Sequence, residues 1–312
     1  MTEAIAPALS TEALWGKSKK YISRALLAKA RGDLGEYQLW ASLSLELLGK
    51  SALAKIHPCL VADPQSYISM FAAAGKNVGT DIKTIIAKTL FERLTHVSIR
   101  FDKKTQEFCT NMSLKRNAEL HSGEAPFEAT EASSWEGRYW HTIDIILQSM
   151  DSAIETWLGA DNSRAPKELL EEYTHALVEA AKIRVETAAE AFKELSKKER
   201  DEAHARAKRM SQWDVRAAFR DRWATIWDET CPACKSRAFI AGITIYEEIA
   251  DEDDPDTGEE TVDVTLGAEE FHCPSCELHL NSRDEIEAAE LDVERTVTEM
   301  RQREYEPDYG ND

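Results

Sequence analysis

Long apolar runs are missing from this 312-residue chain. No stretch approaches the ~18 consecutive apolar residues a membrane-spanning helix requires. The chain does not open on a basic segment followed by an apolar one. Neither secretion nor membrane insertion is expected, and the expected compartment is the cytoplasm. Cysteine is scarce as well: six residues, unevenly placed, are too few for the disulfide framework of a small secreted domain. Cys59 and Cys109 stand alone in helical patterns and read as core thiols. Positive charge is in short supply in only one half. Residues 1–160 carry 18 basic and 18 acidic side chains, whereas residues 161–312 carry 20 basic and 39 acidic ones, giving the net −19. An acidic total argues against a general nucleic-acid binder, because phosphate affinity comes from Lys and Arg. The neutral half escapes that argument.

The composition is otherwise that of a globular protein, with 43% hydrophobic residues and length for two or three domains. After ten residues that read as frayed, helical spacing of apolar residues predicts helices over 11–30 and 34–56, separated by Gly32-Asp33 and ended by His57-Pro58. A short helix follows Pro64, and Thr80-Asp81 opens a third long helix to about Val97. A further helix runs from near Thr105 to Ser122, stopped by Gly123, and another covers about Ser133 to Trp157. This is a compact all-α bundle over residues 11–159. Residues 160–165 read as a linker with Pro166 at a helix start. A long helical or coiled-coil connector is expected over 166–229, with restarts at the capping box Ser196-x-x-Glu199 and, more weakly, at Ser211-x-x-Asp214. Its basic residues, Lys197 to Arg222, read as a salt-bridged exposed face or as a path for RNA backbone.

Within the bundle, Arg116-Asn117-Ala118-Glu119-Leu120-His121 carries groups suited to phosphodiester chemistry. Histidine titrates near neutral pH and serves as acid or base, and arginine grips phosphate with a planar fork. Arg116 and His121 lie about 140° apart around a helix, so one copy does not close them around a small group. Two copies facing each other across a twofold axis would. The plain alternative pairs Arg116 with Glu119 or Glu124 and leaves His121 as a polar helix end. Glu46 and Lys50, four apart in an apolar stripe, read either as a solvated ion pair or as neighbours of the site.

Two cysteine pairs, Cys231-Pro-Ala-Cys234 and Cys273-Pro-Ser-Cys276, have the spacing of a closed four-sulfur zinc site. Two redox-active thiol pairs are the alternative. A closed site keeps no position for water, so the zinc is expected to be structural. Strands over 239–249 and 261–266 would frame a small β zinc ribbon, 230–282, extended by an acidic turn at 251–258 that suits a protein partner or inhibitor. His272 and His279 read as bystanders. Residues 283–312 read as a charged helix and a disordered end.

The bundle, with Leu45-Glu46-Leu47-Leu48-Gly49-Lys50 on its long second helix and Arg116-Asn117-x3-His121 on a late helix before Ser-Gly, resembles the HEPN superfamily over roughly residues 11–159. That resemblance implies a metal-independent endoribonuclease, active as a homodimer through the bundle and typical of toxin or anti-phage systems. It implies catalytic roles for Arg116, Asn117 and His121, an accessory role for Glu46, RNA as substrate and no catalytic metal. Members that only bind or dimerise leave a non-catalytic assembly or regulatory module as the alternative. A third reading is a nucleic-acid-binding zinc-ribbon regulator with an inert helical partner.

Overall fold

Ser10 accepts a hydrogen bond from the Ala13 amide and starts helix α1 (Thr11–Ala30). Asp33 does the same for the Glu36 amide at the start of α2 (Leu34–Ile56). Between them Gly32 turns the chain at φ 79°, a conformation a side chain would strain. The computed structural model describes residues 5–220, 222–251 and 259–302. The expected acidic turn at 251–258 lies, apart from the backbone of Asp251, outside the described residues, as does the expected disordered end 306–312. Among the described residues there are eleven α-helices and five strands, and the chain divides into two units, Met1–Leu177 and Val178–Asp312.

The first unit is an all-α bundle. Helices α3 (Tyr67–Ala73), α4 (Ala87–Leu94), α5 (Lys103–His121), α6 (Glu136–Ser149) and α7 (Ile154–Leu158) complete it with the start of α8 (Ala160–Glu194). The core gathers Ile22, Tyr37, Leu45, Phe91, Tyr139, Trp140 and Trp157, all fully buried. Buried polar groups fasten the helices to one another: Ser44 Oγ of α2 donates to Ser18 O of α1 at 2.8 Å, Tyr139 Oη of α6 to Ala41 O of α2 at 3.2 Å, and Trp157 Nε1 of α7 to Ser18 Oγ of α1 at 3.0 Å. Each satisfies a donor that burial would otherwise leave costly.

Several expectations change here. The opening segment is not all frayed: a short 3₁₀ turn, Pro7–Leu9, puts Leu9 fully into the core. The helix expected from Thr80 starts only at Ala87. Before it, Asp63 N donates to Lys83 O and Ile85 N to Val61 O, so the β-branched Thr84-Ile85-Ile86 run pairs as extended chain. The helix expected through Trp157 breaks at Asp151, whose φ is 53° and where Lys55 Nζ bonds Asp151 Oδ2 at 2.9 Å. Gly123 does not stop α5. Ser122 does, adopting extended backbone while its Oγ caps Ala118 O at 2.7 Å. No linker occupies 160–165: Gly159 makes the turn at φ 81°, and Pro166 sits inside α8 as its seventh residue, where its missing N–H leaves one backbone bond unmade.

In the second unit the expected connector resolves into the end of α8, α9 (Lys197–Arg209) and α10 (Gln212–Ala218), and then a strand. Both capping boxes read from the sequence form, at Ser196–Glu199 and Ser211–Asp214. The sheet is antiparallel. Strand β1 (Thr225–Thr230) pairs β2 (Arg237–Asp251), β2 pairs β3 (Glu259–His272), and β3 pairs both β4 (His279–Leu280) and β5 (Glu294–Gln302). Neither β1 nor β5 was expected. The helix read from Arg283 onward is only α11 (Arg283–Ala288), and the Thr296-Val297-Thr298 run lies against Thr265-Val264-Asp263 instead. Helix patterning from charged residues misled where β-branched residues decide.

The strongest close approach is Gly242, at a register shift in β2, where an added Cβ would lie 1.9 Å from Gly267 O. Backbone cannot yield as a side-chain tip can. Gly242→Ala is expected to destabilise the second unit by about 2–4 kcal/mol, whereas Gly123→Ala, with open space around it, stays within about 0.5 kcal/mol. Urea unfolding of the two variants checks the contrast.

Candidate functional sites

Glu46 lies on the flank of α2 that faces α5, one turn before Lys50. Its carboxylate takes Lys50 Nζ at 2.8 Å and pairs with Arg116 Nη1. Lys50, only 7% exposed, also donates to Thr84 Oγ1 at 3.0 Å. The solvated pair considered from the sequence is therefore a partly buried, three-membered cluster. Burial pushes the Glu46 carboxyl up, but Lys50 and Arg116 outweigh it and hold it below the ordinary carboxylate range. Two cations share one anion, so a positive charge is left in excess.

Arg116 is fixed from its other edge as well. Its Nη2 and Nε donate to Asn117 Oδ1 at 2.9 and 3.2 Å, and Nη2 reaches Ser113 Oγ at 3.3 Å. The ion pairs with Glu119 or Glu124 weighed from the sequence do not form; Glu119 instead accepts the Phe127 amide at 3.3 Å. Asn117, for which the resemblance implies a catalytic role, accepts from the arginine and so positions it. His121 stands on the last turn of α5, exposed to solvent, with no hydrogen-bonding partner among the described residues. One chain thus brings Glu46, Arg116 and Asn117 together and leaves His121 apart from them. Ser113 belongs to the cluster without having been singled out for it. Ser113, three residues before Arg116, could have been found from helical spacing.

The second site is the sulfur tetrad. Cys231, Cys234, Cys273 and Cys276 place their Sγ atoms within 4.8 Å of one another. Cys231 to Cys276 and Cys234 to Cys273 are each 3.5 Å. Sulfurs about 2.3 Å from a central ion lie ~3.8 Å apart in a tetrahedron, so the set fits a metal such as zinc. The two knuckles are built alike. Cys231 N donates to Ser236 O and Cys273 N to Leu278 O, both at 2.9 Å. The residue after each second cysteine, Lys235 or Glu277, takes positive φ at 61° or 58°. Ser236 Oγ and Ser275 Oγ join the knuckles at 2.7 Å. The crowded thiols push one another apart in acidity, Cys273 well down and Cys276 well up, and a divalent cation would relieve that by taking all four as thiolates. Arg237, three residues after Cys234, binds Asp228 at 3.0 and 2.8 Å.

Around the tetrad, His279 is more than a bystander. Buried Glu270 accepts from its Nε2 at 2.5 Å, from Arg222 at 2.6 Å and from Trp223 Nε1 at 2.8 Å, which fastens the chain before β1 to the sheet. A cleft of about 710 Å³ opens beside the second knuckle, lined by Arg206, Arg209, Asp214, His272 and Glu277 among others. Of the basic stretch, Arg206 bonds Pro274 O at 3.0 Å and Arg200 bonds Lys193 O and Leu195 O at 2.8 and 2.9 Å. Helix-to-backbone fastening thus uses much of it. Among the described residues no helix is long and apolar enough to cross a membrane.

Two outcomes test these sites. Purified protein should carry one zinc per chain by elemental analysis, and Cys234→Ala should lose it and lower the melting temperature of the second unit. Glu46→Gln strands two cations against a neutral amide and should cost about 1–3 kcal/mol at pH 7. Because the folded carboxyl titrates below its unfolded value, the wild-type advantage is complete above the ordinary carboxylate range. It fades as pH falls through the lowered value, so the two urea-unfolding curves should converge in acid.

Comparison with protein-family models, with curated proteins and with solved structures finds no match to this chain.

Proposed function

We propose that the N-terminal unit is a metal-independent endoribonuclease of the HEPN type, completed by a second copy of the chain, and that it serves as a toxin or anti-phage effector. The observation that carries the reading is the arginine fixed between Glu46 and Asn117, with an unpartnered histidine on the same helix. A guanidinium held in one rotamer is suited to a developing phosphorane, because no reorganisation is needed as charge builds. An exposed imidazole near a helix C-terminus is free to accept or give a proton.

In the proposed reaction the His121 imidazole of one copy takes the proton from a ribose 2′-OH. The 2′-oxygen attacks phosphorus, and the bond to the 5′-oxygen breaks. The imidazolium so formed then gives that oxygen its proton. The products are a 2′,3′-cyclic phosphate and a 5′-hydroxyl. Arg116 neutralises the pentacovalent intermediate and Asn117 keeps it aimed. Single-stranded RNA suits the in-line geometry. Zinc at the sulfur tetrad would brace the ribbon and take no part, and the ribbon is the proposed seat for a protein partner or inhibitor.

One observation favours the alternative of a non-catalytic assembly module: the Arg116 fork is already engaged by Glu46 and Asn117, which reduces the charge it offers a phosphate. Activity separates the two. Single-stranded RNA should be cut in the presence of EDTA, leaving cyclic phosphate ends. His121→Ala and Arg116→Ala should each lower the rate by about 10²-fold or more without lowering the melting temperature by more than a few degrees. No cleavage by the wild type across varied RNA sequences, or cleavage untouched by both substitutions, removes the ribonuclease reading.

A further inference from the structure

Helix α1 is out of character with an acidic chain. It carries Lys17, Lys19, Lys20, Arg24 and Lys29 against a single carboxylate, Glu12. Lys29 pairs with Glu136 at 2.5 Å. Lys17, Lys20 and Arg24 do not pair. They recur at i, i+3 and i+7, so they share one face with Tyr21 at i+4. All three cations are exposed, and none meets a carboxylate among the described residues. Other cations in the same unit do meet carboxylates, as with Arg31–Glu36 at 3.1 Å, Lys55–Asp151 at 2.9 Å and the Glu46 cluster.

Arg24 is held by aromatics instead of an acid. Its guanidinium carbon lies 4.8 Å from the centre of the Trp40 ring and 5.7 Å from that of Tyr21. The two rings pack edge to face at 5.1 Å. Lys17 Nζ lies 5.7 Å from the Tyr21 ring. An arginine stacked on a ring keeps its full charge and its outward N–H edge. Three unmatched cations in line, about 10 Å from first to last along the helix, with half-buried aromatics between them, is the pattern that follows a nucleic-acid backbone.

Trp40 and Glu46 stand six residues apart on α2, about 9 Å along its axis and about 120° around it, so the cations of α1 and the Arg116 cluster lie on different flanks of that helix. A lipid surface fits less well, because the apolar side of α1 (Leu14, Ile22, Ala25, Ala28) is already buried in the core and leaves little to insert.

We propose that Lys17, Lys20 and Arg24, with Tyr21 and Trp40 between them, form a binding track for the sugar–phosphate backbone of single-stranded RNA. The choice of RNA rests on the ribonuclease reading; the phosphate-binding track stands on its own charges.

The test uses the full chain carrying His121→Ala, so that bound RNA is not cut, and fluorescence anisotropy of a fluorescein-labelled oligouridylate. Adding Lys17→Ala, Lys20→Ala and Arg24→Ala should weaken binding about tenfold or more at moderate salt and reduce the salt slope by about 2. If losing Arg24 disturbs the Trp40 packing and lowers the melting temperature, Lys17→Glu with Lys20→Glu leaves that stack untouched and should show the same loss. Affinity and salt slope unchanged by both variants overturn the track. So does co-sedimentation with phosphatidylserine vesicles that needs these residues while RNA does not bind. Track-dependent binding without any cleavage by the wild type would remove the nuclease and leave the track. Cleavage with unaltered binding in the variants would remove the track alone.

Discussion

A carboxylate taken out of water on the flank of α2 would cost several kcal/mol unless cations met it. Glu46 is met by two, Lys50 one turn along its own helix and Arg116 from α5. This contact does three things together. It fastens α5 to α2 through a polar rather than an apolar seam, and it fixes the arginine rotamer. It also leaves one positive charge unmatched at the surface. Asn117 and Ser113 then occupy the remaining edge of the guanidinium, so the group is held on both sides. The unit's apolar core supplies the stiffness behind this, with Leu45, Leu48 and Tyr139 fully buried around the middle of α2.

The second unit follows a different logic. Its sheet is braced where two similar knuckles bring four sulfurs together, and the knuckles are joined to each other by Ser236 and Ser275 and to α9 by the bond from Ser275 Oγ to Ala203 O at 3.2 Å. Buried carboxylates recur as anchors here too. Glu270 gathers Arg222, Trp223 and His279, and Arg283 lies in the interior with Glu269 at 3.2 Å. Among the described residues, buried Lys50, Glu270 and Arg283 each meet a partner of opposite charge, and a metal at the tetrad would extend that pattern to the thiolates.

What was legible in the sequence was local. The capping boxes at Ser196 and Ser211, the break at Gly32-Asp33 and the spacing of the four cysteines all depend on residues close together in the chain. The Glu46 cluster was half legible, since Lys50 follows from helical spacing while Arg116 arrives from 70 residues away. The missed strands β1 and β5 gain their stability from partners along β2 and β3, which no local pattern records. The break at Asp151 was hidden for a similar reason, because Lys55 from α2 holds it. The track on α1 passed unremarked because charges scattered through a helix reveal their isolation only when the carboxylates around them are placed.

The central claim is that Arg116 of one copy and His121 of another compose a single catalytic cleft. Mixing the separately inactive Arg116→Ala and His121→Ala chains, with subunit exchange allowed, measures it directly. Half of the dimers would then carry one intact cleft out of two, so about one quarter of the wild-type RNA cleavage rate should return. A mixture as inactive as its components would contradict the composite site.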